Sequence, residues 1–164
     1  MRRAVAEPEP PKASPIGRLV KPLALATLLA GGCAHVPTSP ALPPARDEDL
    51  VRADAAFAAD VAARRLDAWV EHFAPDGVML PAGVAPTRGQ AAIRELMAPL
   101  FADPGFKIAW TPTEGHVGGT VGWTSGTSTI TSARGVRHGK YMTVWRRLPD
   151  GQWRIAADIG NTDP

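Results

Sequence analysis

The stretch that decides the fold is Gly139–Asn161, which reads GKYMTVWRRLPDGQWRIAADIGN. Two runs rich in β-branched and aromatic residues flank Pro149, Asp150 and Gly151. A Pro-Asp-Gly sequence between apolar runs is typical of a hairpin, because glycine adopts a positive φ without steric cost. We therefore predict a long antiparallel hairpin at the end of the chain.

Upstream of this hairpin, the pattern is first helical and then β. Apolar residues recur every three or four positions in three segments, which predicts helices beginning near Asp47, Asp67 and Gln90. The apolar stripe of the first helix is assigned to Leu50, Ala53, Phe57 and Val61. From Phe106 onward the apolar residues alternate, which predicts strands separated by glycine turns.

Two details complete this pattern. The second helix is expected to stop at Pro75-Asp76-Gly77, before a short strand at Val78–Leu80. Helices followed by a strand meander indicate an α+β domain, in which a strongly curved antiparallel sheet wraps around three N-terminal helices.

The first 32 residues have the pattern of a secretory leader. Arg18 and Lys21 precede an apolar run at 23–30, which is too short to span a bilayer and has the length of a signal-peptide core. Small residues then lead into Cys33, the single cysteine of the chain, which resembles a bacterial lipobox. We predict a lipoprotein signal peptide at 1–32 with lipidation at Cys33. A plain secretory signal or a buried cysteine is the alternative.

Residues 33–46 are rich in proline and lack an apolar period, which predicts an extended tether. The remaining 47–164 have room for one domain and one core. If Cys33 is lipidated, this domain is held at a membrane of the bacterial cell envelope, and we expect it to lie in the periplasm.

The charge of the chain argues against a nucleic-acid partner. Of the 18 basic and 16 acidic residues, five and two respectively precede Cys33, which leaves 13 basic and 14 acidic residues in the body. The basic character therefore belongs to the leader, and the domain itself is close to neutral.

Several short sequences carry a family resemblance: FAPDG at 73–77, PTRGQAAI at 86–93, GKY at 139–141 and DGQW at 150–153. In this order of elements they resemble the nuclear-transport-factor-2-like (NTF2-like) superfamily, within it the SnoaL-like and ketosteroid-isomerase-like lineages, which include a large group of unknown function. The resemblance implies a cone-shaped fold with an apolar pocket at its wide end, often in a homodimer. It is specific for the fold and weak for function, because these motifs are turns, caps and core positions.

The resemblance also allows a test of mechanism. Ketosteroid isomerase moves a proton with an Asp base, while a Tyr and a protonated Asp bind the oxyanion. The matching positions here are Phe57 for the tyrosine, Pro81 for the base and Lys140 for the second donor. None retains the required group, so we reject steroid isomerisation by that mechanism and keep the pocket.

The same register assigns an inward face to the hairpin. Its members are Lys140, Met142, Val144 and Arg146 on one strand and Arg154, Ala156, Asp158 and Gly160 on the next. Asp158 is then the one carboxylate aimed into the pocket, as a candidate catalytic base or ligand anchor. Alternatively, it accepts hydrogen bonds from the backbone or a tryptophan, or pairs with Lys140 or Arg154, and only closes the sheet.

The residues expected to contact a ligand are Phe57, Val61, Trp69, Met97, Trp110, Lys140, Met142 and Asp158. Glu114 and His116 share a strand face, but two ligands without a third do not make a metal site. We predict no metal and no cofactor.

The leading hypothesis is an envelope lipoprotein that binds a small, largely apolar molecule in the cone. One alternative is a small isomerase or hydrolase that transfers a proton with Asp158 as base. Another is a dimerisation or protein-interaction module that uses the open sheet face. An Asp158 inside an enclosed pocket, without a cationic neighbour and with a raised pKa, would favour the enzyme.

Overall fold

A computed structural model describes residues 42–164. The predicted leader, Cys33 and the tether up to residue 41 lie outside the described residues. The elements are α1 (Asp47–Arg64), α2 (Leu66–His72), β1 (Phe73–Leu80), β2 (Thr87–Arg88), α3 (Gln90–Ala102), β3 (Lys107–Gly118), β4 (Val121–Ser132), β5 (Gly135–Arg147) and β6 (Trp153–Thr162). Within this part of the chain, no helix combines the length and hydrophobicity needed to cross a bilayer.

The six strands form one mixed sheet in the order β2-β1-β6-β5-β4-β3. The predicted hairpin is β5–β6, and Gly151 has the expected positive φ of 87° in its turn. The α+β fold with a curved, open sheet around three helices is therefore confirmed. One pairing is parallel, between β1 and β6, and β1 begins at Phe73 rather than at Val78 because Phe73 pairs with Ile155.

Helix α1 is fixed at both of its ends. At its start, Asp47 Oδ1 accepts a hydrogen bond from the Val117 backbone N–H at 2.8 Å, which joins α1 to β3. At its end, Arg65 has a φ of 54°, which separates α1 from α2. The Arg65 guanidinium donates to the backbone carbonyl of Phe101 at 2.8 Å and to that of Phe106 at 3.3 Å. This side chain therefore joins the α1–α2 turn to the end of α3.

The core lies between the three helices and the concave face of the sheet. Its fully buried large apolar side chains are Leu50, Phe73, Ile93, Trp145 and Ile155. Helix α1 lies close to the sheet where glycine replaces a side chain. A Cβ at Gly122 would lie 2.6 Å from Leu50 Cδ2 and 2.5 Å from the His116 carbonyl oxygen, so only glycine fits there.

A β-bulge in β6 decides which hairpin residues face inward. Near the turn, Trp145 pairs with Ile155, but two residues further Thr143 pairs with Asp158, so one extra residue is inserted at Ala156. Asp158 and Gly160 face inward as expected. Their partners on β5 are Thr143 and Tyr141, which means that the sequence-based assignment of β5 was wrong.

The residues placed on the wrong face are Lys140, Met142, Val144, Arg146 and Arg154. Lys140 and Met142 are exposed on the outer face of the sheet, and Arg146 pairs there with Arg154. The physical reason is that cross-strand partners face the same side of a sheet. Without a bulge, Asp158 would pair with Met142, so both would face inward; the inserted residue makes Thr143 the partner of Asp158 instead.

Candidate functional site

A cavity of about 300 Å³ lies between the helices and the concave sheet face. Its lining is mostly apolar and aromatic, with a few polar side chains. The lining residues that bear on its chemistry are Phe57, Trp69, Pro81, Trp110, Ser128, Arg137, Tyr141, Thr143, Asp158, Gly160, Asn161 and Thr162. The Phe57 ring contacts those of Trp69 and Trp110, with centroids 5.5 and 4.6 Å apart, so one wall is a packed aromatic cluster.

Asp158 is the carboxylate that lines this cavity. Its Oδ1 accepts a hydrogen bond from the Thr143 hydroxyl at 2.7 Å. Burial raises the pKa of Asp158 to about 6, the Thr143 hydrogen bond opposes that rise, and the charge of Asp54 adds to it. A carboxyl group with this pKa exists in both protonation states close to neutral pH.

A second carboxylate, Asp54, lies behind the cavity wall. It is fully buried, and two cavity-lining side chains donate to it: Trp110 Nε1 to Oδ1 at 2.8 Å and the Tyr141 hydroxyl to Oδ2 at 2.7 Å. Burial raises the pKa of Tyr141, and the charge of Asp54 and its hydrogen bond raise it further. Tyr141 is therefore a neutral phenol whose proton points towards Asp54.

Neither carboxylate has a cationic partner. No lysine, arginine or histidine of residues 42–164 forms an ion pair with Asp54 or Asp158. Arg137 also lines the cavity, but it is exposed and pairs across the sheet with Ile130. On β5, the inward positions 139 and 141 separate Arg137 from Thr143. The alternative in which Asp158 closes an ion pair with Lys140 or Arg154 is therefore contradicted.

The structure brings together only part of the site expected from the sequence. Phe57, Trp69, Trp110 and Asp158 all line the cavity. Val61 and Met97 instead belong to the buried core. Lys140 lies on the outer face, where its Nζ contacts Asp163 Oδ1 at 2.5 Å, and Met142 is exposed beside it.

The polar residues of the site that were missed from the sequence are Asp54, Tyr141 and Thr143 around Asp158, and Ser128, Arg137 and Thr162 elsewhere on the lining. A signal for Asp54 existed, because the buried residues of α1 are Leu50, Asp54, Phe57 and Val61, at spacings of four, three and four. An acidic residue on the apolar stripe of a helix needs buried donors. The sequence-based stripe instead runs through Ala53, which has helical spacing from Leu50 and Phe57 as well.

Two of the three positions that match the isomerase are on the cavity wall, while Lys140 is not. Phe57 and Pro81 line it, and neither carries a group that could donate or accept a proton. Glu114 and His116 lie on the surface, with His116 Nε2 and Glu114 Oε1 3.3 Å apart. In the described part of the chain, no group of three histidine, cysteine, aspartate or glutamate side chains is arranged so that it could hold a metal ion.

Comparisons with known proteins agree with this architecture. The sequence profile of the SnoaL-like domain matches residues 54–156, while no curated protein matches the chain. A ketosteroid isomerase-like protein from Erwinia carotovora atroseptica is 21% identical with a TM-score of 0.58, over 69% of this chain and 93% of that chain.

Two other solved structures are similar. An NTF2-like protein with a cystatin-like fold from Novosphingobium aromaticivorans is 22% identical with a TM-score of 0.55, over 69% of this chain and 79% of that one. A protein of unknown function from Mycobacterium tuberculosis is 25% identical with a TM-score of 0.57, over 71% and 72% of the two chains. The chain therefore belongs to the SnoaL-like domain family and has the NTF2-like cone fold.

Proposed function

We propose that the domain binds a small, largely apolar molecule in the cavity and that Asp158 contacts the polar group of this molecule. The observation that carries the proposal is a carboxylate that forms no ion pair within residues 42–164 and lies in a mostly apolar cavity. Such a carboxylate is costly to the fold, because its charge is partly removed from water and the Thr143 hydrogen bond compensates for only part of this loss. A ligand that supplies the missing interaction would offset this cost.

The dimensions of the cavity support a small ligand. A volume of about 300 Å³ lies at the lower end of the range for small-molecule sites, which are concave, apolar and equipped with a few placed polar groups. The aromatic wall of Phe57, Trp69 and Trp110 would bury the apolar body of the ligand. Asp158 would then determine its orientation.

The proposal is tested by native mass spectrometry of the domain with a metabolite library. Wild type is compared with Asp158→Asn and with Asp76→Asn, which removes an equal charge from a surface carboxylate paired with Arg146. We expect one or more small molecules on wild type and on Asp76→Asn, and a loss of at least part of this set on Asp158→Asn. An identical set on all three proteins would contradict a role for Asp158.

Proton transfer is a second candidate function, because the pKa of Asp158 is close to neutral. A general base works best when its pKa lies near the working pH, and burial brings the Asp158 pKa to about 6. In an isomerase or hydrolase of this type, Asp158 would take a proton from the bound molecule or from a water beside it. The test is turnover of the molecules recovered from the library.

For such a reaction, the rate should rise with pH through about 6 as Asp158 ionises. Asp158→Asn should abolish turnover of molecules that it still binds. Turnover that is equal in the variant, or a rate that is independent of pH across this range, would assign the domain to binding alone.

The envelope location and the homodimer are further proposals. Cys33 would carry the lipid anchor, which mass spectrometry of the membrane fraction would detect as an acylated N-terminal cysteine. A soluble product cleaved elsewhere would contradict the anchor. For the dimer, the outer sheet face carries the exposed Met142 and Ile159, and size-exclusion chromatography would show whether Met142→Glu changes the oligomeric state.

A further inference from the structure

The cavity has an inner end and a mouth, which the strand pairing places in order. On β5, the inward residues Thr143, Tyr141 and Arg137 follow one another towards the mouth. An antiparallel strand rises about 3.4 Å per residue, so Arg137 lies about 20 Å from Thr143 along the strand. Thr143 is buried beside the core residue Trp145, while Arg137 is exposed.

At the inner end, each polar hydrogen on the cavity wall is already used. The Tyr141 hydroxyl and the Trp110 indole N–H both donate to Asp54, and the Thr143 hydroxyl donates to Asp158. Each of these three groups has a single polar hydrogen. The Trp69 indole nitrogen has no partner among the described residues, but it is covered by neighbouring atoms and is not exposed to the cavity.

The atoms that remain available at the inner end are acceptors. Asp158 uses Oδ1 for Thr143, which leaves the lone pairs of Oδ2, and the Tyr141 oxygen keeps a lone pair after donating its proton. The side chains able to donate lie nearer the mouth, at Ser128, Arg137 and Thr162. The cavity is therefore polarised, with acceptors inside and donors at its entrance.

The charges at the inner end also favour a hydrogen-bond donor there, and in particular a cation. Asp158 and Asp54 interact electrostatically and lack cationic partners, so a positive charge at the inner end would be attracted by both. Phe57, Trp69 and Trp110 line the same cavity, and aromatic rings favour a cation over an anion where it can lie above a ring face.

We propose that the ligand is an apolar amine in its ammonium form, which enters with this hydrogen-bond donor at its buried end. This inference rests on the proposed function. The matching alcohol, which donates without a charge, is a weaker ligand. With Asp158 ionised, the matching ketone is rejected, because its oxygen would face the lone pairs of Asp158 and Tyr141. A protonated Asp158 could donate to that oxygen, so binding is compared above the Asp158 pKa.

This polarity is opposite to that of ketosteroid isomerase, in which a tyrosine and a protonated aspartate donate to the substrate oxygen. In this chain Phe57 stands at the position of that tyrosine. The tyrosine that does line the cavity, Tyr141, directs its proton at Asp54 behind the cavity wall. Asp54, a buried acceptor on α1, therefore withdraws the Tyr141 and Trp110 donors from the ligand.

The test uses three probes with one carbon skeleton: α-methylbenzylamine, α-methylbenzyl alcohol and acetophenone. Their binding is measured by calorimetry and by shifts of the tryptophan indole N–H signals in NMR spectra, at a pH about one unit above the pKa of Asp158. We expect the amine to bind about ten- to a hundredfold more tightly than the ketone, with the alcohol between them, as for a hydrogen bond to a charged group. Asp158→Asn should remove this preference, and the surface control Asp76→Asn should keep it.

The outcomes separate the two proposals. A ketone that binds as tightly as the amine, or an amine preference that persists in Asp158→Asn, would overturn the polarity argument while leaving the cavity a binding site. If none of the three probes binds wild type, and the metabolite library also gives no bound molecule, the proposed function fails and this inference fails with it. Thermal unfolding of each variant confirms that it is folded.

Discussion

Replacing Asp158 by asparagine should stabilise the folded domain at neutral pH. Burial raises the pKa of Asp158 from its usual 3.8 to about 6, so the folded domain binds this proton more tightly than the unfolded chain does. The free energy of unfolding therefore falls as pH rises from about 4 to about 6, and the whole loss is present above that range. Asparagine cannot ionise, and its amide oxygen can still accept from Thr143.

The magnitude follows from the difference between the two pKa values. At 1.36 kcal/mol per tenfold change, a rise from 3.8 to 6 corresponds to about 3 kcal/mol. This is an upper limit, because Asp158 is only half-buried and water in the cavity screens its charge. We expect a gain of about 1 to 3 kcal/mol, which for a domain of this size raises the Tm by roughly 4 to 12 °C.

The assay is urea denaturation of wild type and Asp158→Asn between about pH 4 and pH 8. The gap between the two stabilities should open as pH rises through the range in which Asp158 ionises. Asp60→Asn is the control of opposite sign, because the hydrogen bond from His72 holds the pKa of Asp60 below its usual value. That variant should lose stability at neutral pH, and this loss should persist down to about pH 4, because it disappears only as pH falls below the usual Asp pKa of 3.8. A constant gap for Asp158→Asn, or a less stable variant at pH 8, would refute the reasoning.

Three further predictions concern the scaffold of the site, and urea denaturation checks each one. Tyr141→Phe and Trp110→Phe should each lower stability by about 1.5 to 3 kcal/mol, because each leaves the fully buried Asp54 with a single donor. A loss below about 0.5 kcal/mol would contradict the claim that Asp54 depends on these two donors. Arg65→Gly should be about 1 kcal/mol more stable than Arg65→Ala, since the two lose the same guanidinium contacts but only alanine is strained at a φ of 54°; equal stabilities would exclude backbone strain. Gly122→Ala should be severely destabilising, because its Cβ would meet Leu50 and the His116 carbonyl oxygen. Gly118→Ala should be close to neutral, since a Cβ there would lie 3.8 Å from its nearest neighbour, the Val121 carbonyl oxygen. Similar losses in both variants would show that α1 can move away from the sheet.

The general architecture could be predicted from the sequence, because its signals are local. The Pro-Asp-Gly turn, the change from helical to alternating pattern and the glycine turns each depend on a few neighbouring residues, and the hairpin formed as expected. The parallel pairing of β1 with β6 could not be predicted in this way. It depends on contacts between residues about 80 positions apart, such as Phe73 with Ile155.

The site was predicted only in part, for two physical reasons. The bulge at Ala156 leaves no clear mark in the sequence, yet it reverses the face of each β5 residue relative to Asp158. As a result, Lys140 and Met142 were expected in the cavity, and Tyr141 and Thr143 were overlooked. The role of Asp54 depends on donors from β3 and β5, which only the folded chain brings together.

The central claim is that the cavity beside Asp158 holds the ligand, and closing the cavity tests it most directly. Gly160 faces the cavity, and a Cβ there would meet only the Tyr141 Cβ and the Lys140 carbonyl oxygen, both at 3.6 Å, so leucine would fill the space without backbone strain. Gly118→Leu, at an open position of the β3–β4 turn, is the matched control. Native mass spectrometry with the metabolite library should show bound molecules on wild type and Gly118→Leu and none on a folded Gly160→Leu. The same molecules bound to Gly160→Leu would contradict the assignment of function to this cavity.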